Sequence, residues 1–509
     1  MARSRIAWIA LTTALLITGA CSSDPSAAPS SLTAPTGTSV PTGAPVEFSQ
    51  HLGDWVLPGR DYDNSRATTD SSINAGNVSQ LDVAWTAPLA GSLSTVPLIV
   101  GDTIYVQDGA GEIAALNRAN GKERWKTEAY GSMIGPSGVA VANGRVFAVH
   151  GTTGVVAVNA DDGKELWVRK LTRTPTEGID IQPTVIGDLV LVSTVPIGTG
   201  IYTGGDRGVI HALDVATGDV RWKFDTVKSA NLWGNPAVNS GGGAWYPPAI
   251  DTERGAVYWG IANPAPFPGT PEFPNGSSRP GPNLYSDSAV NLDVKNGKLR
   301  WYHQVHPHDL FDRDLVHTMI AHDGDDDIVI ATGKGAVVVG LDPEKGTALW
   351  RTKVGVHKND ELPSLTGPTE VAPGTFGGVL TPPATADGVV YVATVNAPVT
   401  LKPNETAYFG AEFGQQDGEI VAIDATTGAI VWHTTVPGDP LGATAVVNDL
   451  VFTALFDGQL VALERTTGKI VWTTKTAGPI NGWMAVAGNE LIVPVGGANP
   501  AAVVAYRLP

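Results

Sequence analysis

Cysteine is almost absent from this chain of 509 residues, in which Cys21 is the only one. A single thiol cannot form a disulfide within the chain and cannot build a cysteine-based zinc cluster. Covalent attachment of haem requires two cysteines and a histidine in one short motif. The sequence therefore excludes an internal disulfide, a cysteine-based zinc cluster and covalently attached haem.

Basic residues are scarce relative to acids. Lys and Arg total 33 against 50 Asp and Glu, which gives a formal net charge of -17. Removal of the first 20 residues would take away Arg3 and Arg5 and no acid, which leaves -19. Because binding to a phosphate backbone needs a basic face, a nucleic-acid partner is not expected. The acidic balance suits a domain that works outside the cytoplasm.

The apolar run at the start of the chain is short. Residues 6–17 follow two arginines and have the length of a signal-peptide core, too short for a stable bilayer-spanning anchor. Residues 18–20 (TGA) then precede Cys21, and small residues before a lone cysteine resemble a bacterial lipoprotein cleavage site. This resemblance implies that residues 1–20 are a lipoprotein signal peptide. The exported chain would be anchored to the cell membrane through lipidated Cys21, facing the extracytoplasmic side. The alternative is an ordinary secretory signal with an incidental cysteine.

Large apolar side chains are also rare in residues 21–48, which are rich in Ser, Pro, Thr, Ala and Gly. Such a segment cannot offset the entropy lost on ordering, so we expect a disordered tether. Residues 49–509 then form the folded domain.

Glycine (60 residues) and tryptophan (14) are abundant, and they recur in a fixed pattern. Apolar residues and an Asp, Asn or Glu precede a glycine, and tryptophan follows four residues later. The side chain of Asp or Asn caps a hairpin turn, Gly adopts the positive φ of that turn, and Trp packs between neighbouring sheets. The seven pairs are Gly121 and Trp125, Gly163 and Trp167, Gly218 and Trp222, Gly297 and Trp301, Gly346 and Trp350, Gly428 and Trp432, and Gly468 and Trp472.

The spacing of the repeat predicts a closed ring of sheets. Residues 81–85 (LDVAW) are an eighth copy without a turn, and the shortest steps between tryptophans are 40 residues, which fits four strands per unit. Three strand-like stretches follow the last tryptophan, at residues 483–486, 490–495 and 502–507. Together with residues 81–85 they would complete one sheet and leave no open edge. We therefore predict an all-β, eight-bladed β-propeller closed by its N- and C-terminal strands. The alternative is a seven-bladed ring with Trp85 outside the count.

Several stretches beyond the repeat resemble the pyrroloquinoline quinone (PQQ)-dependent, or quinoprotein, alcohol dehydrogenases. They are residues 59–66 (GRDYDNSR), 241–245 (GGGAW), 260–266 (GIANPAP) and 308–312 (HDLFD). The resemblance covers about residues 50–509. It implies an enzyme that oxidises an alcohol or polyol to a carbonyl with PQQ and a bound metal, and passes the electrons to a separate acceptor.

The resemblance also implies which residues would contact PQQ. Trp245 ends the glycine-rich turn and would stack under the flat tricyclic ring, which a wide indole face suits. Lys334 aligns with a basic residue near the quinone oxygens, where a cation stabilises negative charge on the reduced ring. The structural alternatives are a blade-packing tryptophan and a hairpin-turn lysine.

Catalytic and metal-binding residues follow from the same resemblance. Asp312 would be the general base, because a carboxylate within reach of the alcohol proton can remove it. Asn263 would offer its side-chain oxygen to a metal. Asp314 lies on the same face as Asp312 if the segment is extended, and a second acid at that spacing resembles members that use a lanthanide in place of Ca²⁺. The alternatives are a turn residue for Asn263 and a solvated loop acid for Asp314.

The sequence departs from the family pattern at three points. A metal-binding Glu is usual shortly before the Arg-Gly of the third blade, but here residues 207–208 supply Arg-Gly and the aligned position is Thr203. A disulfide between adjacent cysteines is impossible. Ala244 stands where a Thr usually precedes the stacking tryptophan. The alternatives that these changes leave open are an altered cofactor site with weaker metal binding, a site for another ligand, and an empty pocket.

Two functional classes fit the sequence. In the first, the chain is a dehydrogenase, and insertions near residues 263–286 and 355–375 form the mouth for the substrate. In the second, it is a non-catalytic, lipid-anchored scaffold that resembles the outer-membrane assembly factor. The cluster of Trp245, Asn263, Asp312 and Lys334 favours the enzyme, because a scaffold has no need for it.

Overall fold

The computed structural model describes residues 40–197, 204–324, 326–406, 413–496 and 501–509. Cys21, the predicted signal peptide and Thr203 lie outside the described residues. Among the described residues, no helix combines the length and the apolar character needed to cross a bilayer.

Strands within the described ranges form eight antiparallel sets of four, numbered here as blades 1 to 8 along the chain. Blade 1 comprises Leu98–Val100, Thr103–Gln107, Ile113–Asn117 and Glu123–Lys126. Blade 2 comprises Val139–Ala142, Arg145–His150, Gly154–Asn159 and Glu165–Lys170. Blade 3 comprises Thr184–Ile186, Leu189–Pro196, Val209–Asp214 and Val220–Asp225. Blade 4 comprises Ala249–Asp251, Ala256–Ile261, Ser288–Asp293 and Leu299–Gln304.

The remaining blades follow the same plan. Blade 5 comprises Leu315–Asp323, Asp326–Gly333, Val337–Leu341 and Ala348–Lys353. Blade 6 comprises Ala384–Ala386, Val389–Val395, Gly418–Asp424 and Ile430–Val436. Blade 7 comprises Ala445–Val447, Leu450–Ala454, Gln459–Glu464 and Ile470–Lys475. Blade 8 comprises Ala485–Ala487, Glu490–Val495, Ala502–Arg507 and Asp82–Pro88.

Blade 8 joins the two ends of the folded chain. Asp82–Pro88 pairs antiparallel with Ala502–Arg507, which in turn pairs with Glu490–Val495. The predicted all-β propeller closed by N- and C-terminal strands is therefore confirmed.

Short elements connect or flank the blades. The short strands are Ala67–Thr68, Glu177–Gly178, Ser240–Gly241, Pro264–Ala265, Thr369–Val371 and Val399–Leu401. The helices are the α-helix Val46–Gln50 and the 3-10 helices Val78–Gln80, Leu232–Gly234 and Pro274–Gly276.

Folded structure begins before residue 49. Phe48 is buried in the cluster that holds the apolar residues of blades 2 and 3, and Glu47 accepts hydrogen bonds from the backbone N–H groups of Asn143 and Gly144. These contacts hold the residues just before position 49 against the propeller.

Each turn glycine holds the tryptophan of the preceding blade. Gly163, in the turn of blade 2, has a φ of +70°, and a Cβ atom there would lie 2.5 Å from the ring of Trp125 in blade 1. The indole N–H of Trp125 donates to the carbonyl of Ala160 in the same turn, at 2.9 Å. Glycine is therefore needed both for the turn and for the approach of the ring. Equivalent contacts pair Gly121 with Trp85, Gly218 with Trp167, Gly297 with Trp222, Gly346 with Trp301, Gly428 with Trp350 and Gly468 with Trp432.

The N-terminal segment crosses four blades. The backbone carbonyls of Tyr62, Asp63, Ser65 and Arg66 accept hydrogen bonds from Ile250, Ile320, Thr385 and Val446, which lie in the first strands of blades 4 to 7. These carbonyls satisfy N–H groups along the inner edges of four successive sheets, so the segment ties the blades together.

Candidate active site

Loops at one end of the propeller enclose a cavity of about 730 Å³. In an antiparallel pair, the start of the first strand lies beside the end of the second strand, at the same end of the sheet. The cavity is lined by residues from these two positions, including Ser94 before blade 1, Asp180 before blade 3, Leu441 before blade 7 and Trp483 before blade 8.

All five predicted cofactor, catalytic and metal-binding residues line this cavity. Trp245 lies before the first strand of blade 4, and Asn263 lies just after its second strand. Asp312 and Asp314 precede the first strand of blade 5, and Lys334 follows its second strand. The fold thus places side chains separated by up to 89 residues of sequence in one cavity.

Lys334 bridges the two predicted acids. Its Nζ atom lies 2.9 Å from Oδ2 of Asp312 and 2.5 Å from Oδ2 of Asp314. The other oxygen of Asp314 accepts a hydrogen bond of 2.9 Å from the backbone N–H of Asn263. The side-chain NH₂ of Asn263 donates to the carbonyl of Pro264 at 3.2 Å, so its side-chain oxygen is the atom that a cation would use.

The backbone around these acids is not extended, contrary to the premise of the sequence argument. Asp312 has a φ of 65° and Asp314 a φ of 31°, in the left-handed region. Asp309 stabilises the turn, because its carboxylate accepts the backbone N–H groups of Phe311 and Arg313 at 2.9 and 2.8 Å. The carboxylates of Asp312 and Asp314 converge through this turn and through Lys334. Left-handed backbone at non-glycine residues costs on the order of 1–3 kcal/mol each and is often found at functional sites.

Burial and neighbouring charges set the protonation of the group. Burial raises the pKa of Asp312 to about 7, against the lowering effect of Lys334 and with a further increase from Asp314. Burial alone would lower the pKa of Lys334, but the two carboxylates outweigh it and hold this pKa above its usual value. A carboxyl group with a pKa of about 7 can both accept and release a proton near neutral pH.

Aromatic rings form one wall of the cavity. Trp245 is partly buried, and its ring centroid lies 4.6 Å from that of Tyr246. Tyr246 stacks on Trp483 with centroids 5.5 Å apart and an interplanar angle of 26°. The Nζ atom of Lys334 lies 5.5 Å from the centroid of Trp245. An indole face, an ammonium group and two carboxylates are therefore adjacent.

Comparisons with known proteins agree with this arrangement. The family model described as the β-propeller domain of glucose, ethanol and alcohol dehydrogenases matches residues 55–140 and 170–323, which include Trp245, Asn263, Asp312 and Asp314. The crystal structure of quinohemoprotein alcohol dehydrogenase from Comamonas testosteroni superposes with a TM-score of 0.78 at 23% identity, covering 90% of this chain and 81% of that one. Its identity is low enough that the likeness shows the fold alone. The propeller has the fold of the quinoprotein dehydrogenases.

Curated relatives match the chain over different shares of their length. A putative dehydrogenase XoxF from Paracoccus denitrificans is 27% identical, and the match covers 78% of this chain and 79% of the relative. Quinohemoprotein alcohol dehydrogenase ADH IIB from Pseudomonas putida is 28% identical over 51% of this chain, but the match spans only 41% of that enzyme. A second family model, described as the outer membrane protein assembly factor BamB, matches residues 416–506.

The cavity has the size and lining to hold a flat aromatic acid. Trp245 offers a ring face, Lys334 offers a cation, and 730 Å³ is within the usual range for cofactor sites. Within the described residues, no three His, Cys, Asp or Glu side chains form a group that could hold a metal ion. The available oxygen ligands are Asn263, Asp312 and Asp314. The aligned position Thr203 lies outside the described residues.

The sequence analysis did not identify two acids that lie near the site. Asp180 lines the cavity, and burial, followed by the charge of Asp314, raises its pKa to about 8. Asp287 is fully buried, and neither carboxylate oxygen has a hydrogen-bond partner among the described residues. Burial and the charges of Asp309 and Asp314 raise the pKa of Asp287 well above its usual value. No motif marks either acid, because only the fold brings them near Asp314.

The two insertions predicted to form the substrate mouth contribute little to the described lining of the cavity. Of residues 263–286, only Asn263 and Ala265 line the cavity, and residues 355–375 contribute none of the described lining. Apolar side chains of these insertions instead pack together, with Phe267, Leu365 and Val371 in one cluster with Leu310 and Phe311. The insertions therefore support the turn that carries Asp312. The described lining instead includes Phe376 and Phe413.

Proposed function

We propose that this propeller binds PQQ and oxidises an alcohol or polyol to a carbonyl compound, with electrons passed to a separate acceptor. The observation that carries the proposal is the Asp312–Lys334–Asp314 group beside the face of Trp245 in one cavity. Relatives named as quinohemoprotein alcohol dehydrogenase and methanol dehydrogenase support the same reaction class.

Each residue has a defined task in this proposal. Trp245 stacks against the cofactor ring and fixes its plane. Lys334 donates to the quinone oxygens and stabilises negative charge on them. Asp312 accepts the hydroxyl proton of the alcohol, and its pKa of about 7 leaves a large ionised fraction at neutral pH. When bound, PQQ supplies the oxidant, which takes the two electrons and two protons that the alcohol loses and becomes the quinol.

A metal ion would be held by Asn263, Asp312 and Asp314. These oxygen ligands suit Ca²⁺ or a lanthanide ion, and a second carboxylate favours the higher charge. Three acids, including Asp180, face a single lysine in this cavity, so a bound cation would offset their mutual repulsion. A relative named as a lanthanide-dependent methanol dehydrogenase supports the second choice.

We also propose that residues 1–20 are a lipoprotein signal peptide and that lipidated Cys21 holds the propeller at the extracytoplasmic face of the cell membrane. A Cys21→Ser variant should then move from the membrane fraction to the soluble exported fraction. An unchanged distribution would argue against lipidation.

Reconstitution tests the enzyme directly. The mature chain is incubated with PQQ and either Ca²⁺ or La³⁺, and dye reduction is followed with a panel of alcohols. Removal of the general base in Asp312→Asn should lower kcat/KM by about 100-fold or more. The control Asp161→Asn removes an acid from an exposed turn of blade 2 and should leave the rate unchanged. Equal activity of Asp312→Asn and the parent would refute the assignment of the base.

The match of residues 416–506 to the assembly factor model favours a second candidate, a lipid-anchored scaffold that binds partner proteins. A scaffold gains nothing from a buried lysine between two buried acids, which lowers stability unless each charge is paired. A folded chain that binds no PQQ with either metal would favour the scaffold.

A further inference from the structure

A buried arginine lies behind the aromatic wall of the cavity that holds Asp312, here called the main cavity. A second, small cavity of about 20 Å³ shares Tyr246 and Trp483 with the main cavity. Arg66 lines the small cavity and is 1% exposed. Its guanidinium carbon lies 5.8 Å from the ring centroid of Trp483 and 5.3 Å from that of Trp55. The rings of Tyr246 and Trp483 therefore separate this cation from the main cavity.

No acid neutralises Arg66 within the described part of the chain. Its Nε and Nη2 atoms donate to the backbone carbonyls of Thr444 and Met484, at 2.8 and 3.3 Å. Its Nη1 atom has no partner among the described residues. Burial lowers the pKa of Arg66 to about 9, so the group stays protonated at neutral pH. Carbonyl dipoles and ring faces offset part of the cost of burying this charge, but they leave its net value unchanged.

The small cavity supplies no negative charge. His317 lines it and is 3% exposed, and its Nε2 atom has no partner among the described residues. Burial lowers the pKa of His317 to about 3, so this ring is neutral at pH 7. The other polar residues of the described lining, Asn64 and Thr318, are uncharged. A cavity of this size has room for about one water molecule, which is also neutral. The positive charge of Arg66 therefore remains unbalanced.

The main cavity itself has more acids than bases. Asp180, Asp312 and Asp314 line it, and Lys334 is the one base in its described lining. PQQ is a tricarboxylic acid, so its binding brings further negative charge to a site of low polarity. Like charges repel more strongly where water is excluded. Such a ligand needs more positive charge nearby than Lys334 alone supplies.

We propose, building on the PQQ binding proposed above, that Arg66 is a positioning residue for the carboxylates of a flat, polyanionic cofactor. Its charge acts through the rings of Tyr246 and Trp483 without touching the ligand. In a buried, weakly polar surrounding, a unit charge acts over a longer distance than it does in water. Arg66 therefore favours an anionic ligand at this aromatic wall over an uncharged ligand of the same shape.

Paired ligands provide the first test. The folded mature chain is titrated calorimetrically, in the presence of Ca²⁺, with PQQ and with its uncharged trimethyl ester. Arg66→Met should weaken the binding of PQQ by about tenfold and change that of the ester by less than about twofold. Arg66→Lys keeps the charge and should bind PQQ within about threefold of the parent. Packing alone would weaken both ligands by the same factor in Arg66→Met, and that result would overturn the proposal. Unchanged binding of PQQ would overturn it too.

A counter-charge provides the second test and leaves Arg66 in place. His317→Glu adds a carboxylate to the small cavity and neutralises the guanidinium there. This variant should weaken PQQ by about tenfold and spare the ester. The matched control His317→Gln adds no charge and should leave the ratio of the two affinities unchanged. Equal ratios in His317→Glu and His317→Gln would contradict the proposal, even if Arg66→Met did not fold.

A third ligand pair separates failure of this inference from failure of the proposed function. If the parent binds PQQ with neither Ca²⁺ nor La³⁺, the proposed cofactor fails, and titration with trimesate and its trimethyl ester tests Arg66 alone. Weaker binding of trimesate, but not of the ester, in His317→Glu would support the role of Arg66. A parent that does not bind trimesate, or a variant that binds it equally well, would overturn that role. If the parent and all variants bind PQQ equally, the cofactor stands and only the role of Arg66 is rejected.

Discussion

At the scale of single residues, the proposed general base Asp312 depends on its neighbours for its protonation. Its carboxylate is buried, its backbone lies in the left-handed region, and Lys334 holds it beside Asp314. Without the lysine, two like charges would face each other in a site of low polarity. The ammonium group keeps the pKa of Asp312 near neutrality, where the base can both accept and release a proton.

Lys334→Met tests this dependence. The variant leaves Asp312 and Asp314 without their shared cation, and breaking a buried ion pair costs about 3–5 kcal/mol of unfolding free energy. The pKa of Asp312 would then rise further, because the lowering effect of Lys334 is lost. A raised carboxyl pKa removes stability as the pH rises, so the loss should grow between pH 5 and pH 8. Denaturant unfolding at both pH values measures it, with the exposed Lys345→Met as control. If the loss of unfolding free energy in Lys334→Met became smaller as the pH rises, the proposed role of Lys334 would be contradicted.

His322 provides a second residue-scale prediction. Its ring nitrogens lie 3.1 Å from Asp63, in the segment that crosses the blades, and 2.7 Å from Asp327 in blade 5. The hydrogen bond to Asp63 is the main reason why the pKa of His322 is raised to about 9. A raised histidine pKa contributes stability fully below the unfolded value of about 6.5 and loses it as the pH rises through 9.

The melting temperatures of the parent and His322→Gln should therefore differ at pH 6 and converge by pH 10. His433→Gln, which removes a more exposed histidine 3.7 Å from Glu419, is the control. If the difference in melting temperature widened toward pH 10, the stabilising interaction of protonated His322 with its two acids would be contradicted.

At the scale of elements, two turn glycines allow the cost of a side chain at positive φ to be measured separately from the cost of displacing a tryptophan ring. Gly163 and Gly144 both lie in blade 2 with φ values of +70° and +71°. A Cβ atom on Gly163 would meet the ring of Trp125, whereas one on Gly144 would meet nothing within 4 Å. Gly144→Ala measures the backbone cost alone, and Gly163→Ala adds the displacement of the tryptophan.

We expect Gly163→Ala to lower the unfolding free energy by about 1–3 kcal/mol more than Gly144→Ala, the usual cost of overpacking. Thermal or denaturant unfolding of both variants measures the difference. Equal losses would show that the turn glycine serves only its φ angle and that the ring can move aside.

Local patterns explain which features the sequence could predict. The glycine-to-tryptophan spacing is a property of one hairpin, so it is readable wherever it occurs. The resemblance to the quinoprotein alcohol dehydrogenases was sufficient to predict one shared site for Trp245, Asn263, Asp312, Asp314 and Lys334. Asp180, Trp483 and Phe413 were missed because they reach the cavity only through long-range folding. The left-handed turn at Asp312 was missed because it depends on hydrogen bonds to Asp309, which the order of residues does not reveal.

At the scale of the whole molecule, the ring is closed by strands from the two ends of the folded chain. Asp82–Pro88 completes blade 8, and Trp85 on this strand inserts against Gly121 of blade 1. Arg118 of that same turn pairs with Asp54 and with Glu490 of blade 8 at 2.7 and 2.8 Å. The junction between the two ends thus uses the same tryptophan contact as the other blades, with ion pairs added.

Removal of residues 502–509 should therefore disrupt the entire ring. The deletion takes away the strand between Asp82–Pro88 and Glu490–Val495 and exposes two sheet edges, which favours aggregation. We expect no cooperative thermal transition in the truncated chain. A transition close to that of the parent would show that the blades are independently stable.

Cofactor binding tests the central claim most directly. The folded mature chain is titrated with PQQ in the presence of Ca²⁺ or La³⁺, and tryptophan fluorescence and heat are followed together. The account predicts saturable binding of one PQQ per chain that Trp245→Ala and Lys334→Met both weaken by at least tenfold. A folded chain that shows no saturable binding, or binding that neither substitution affects, would contradict it.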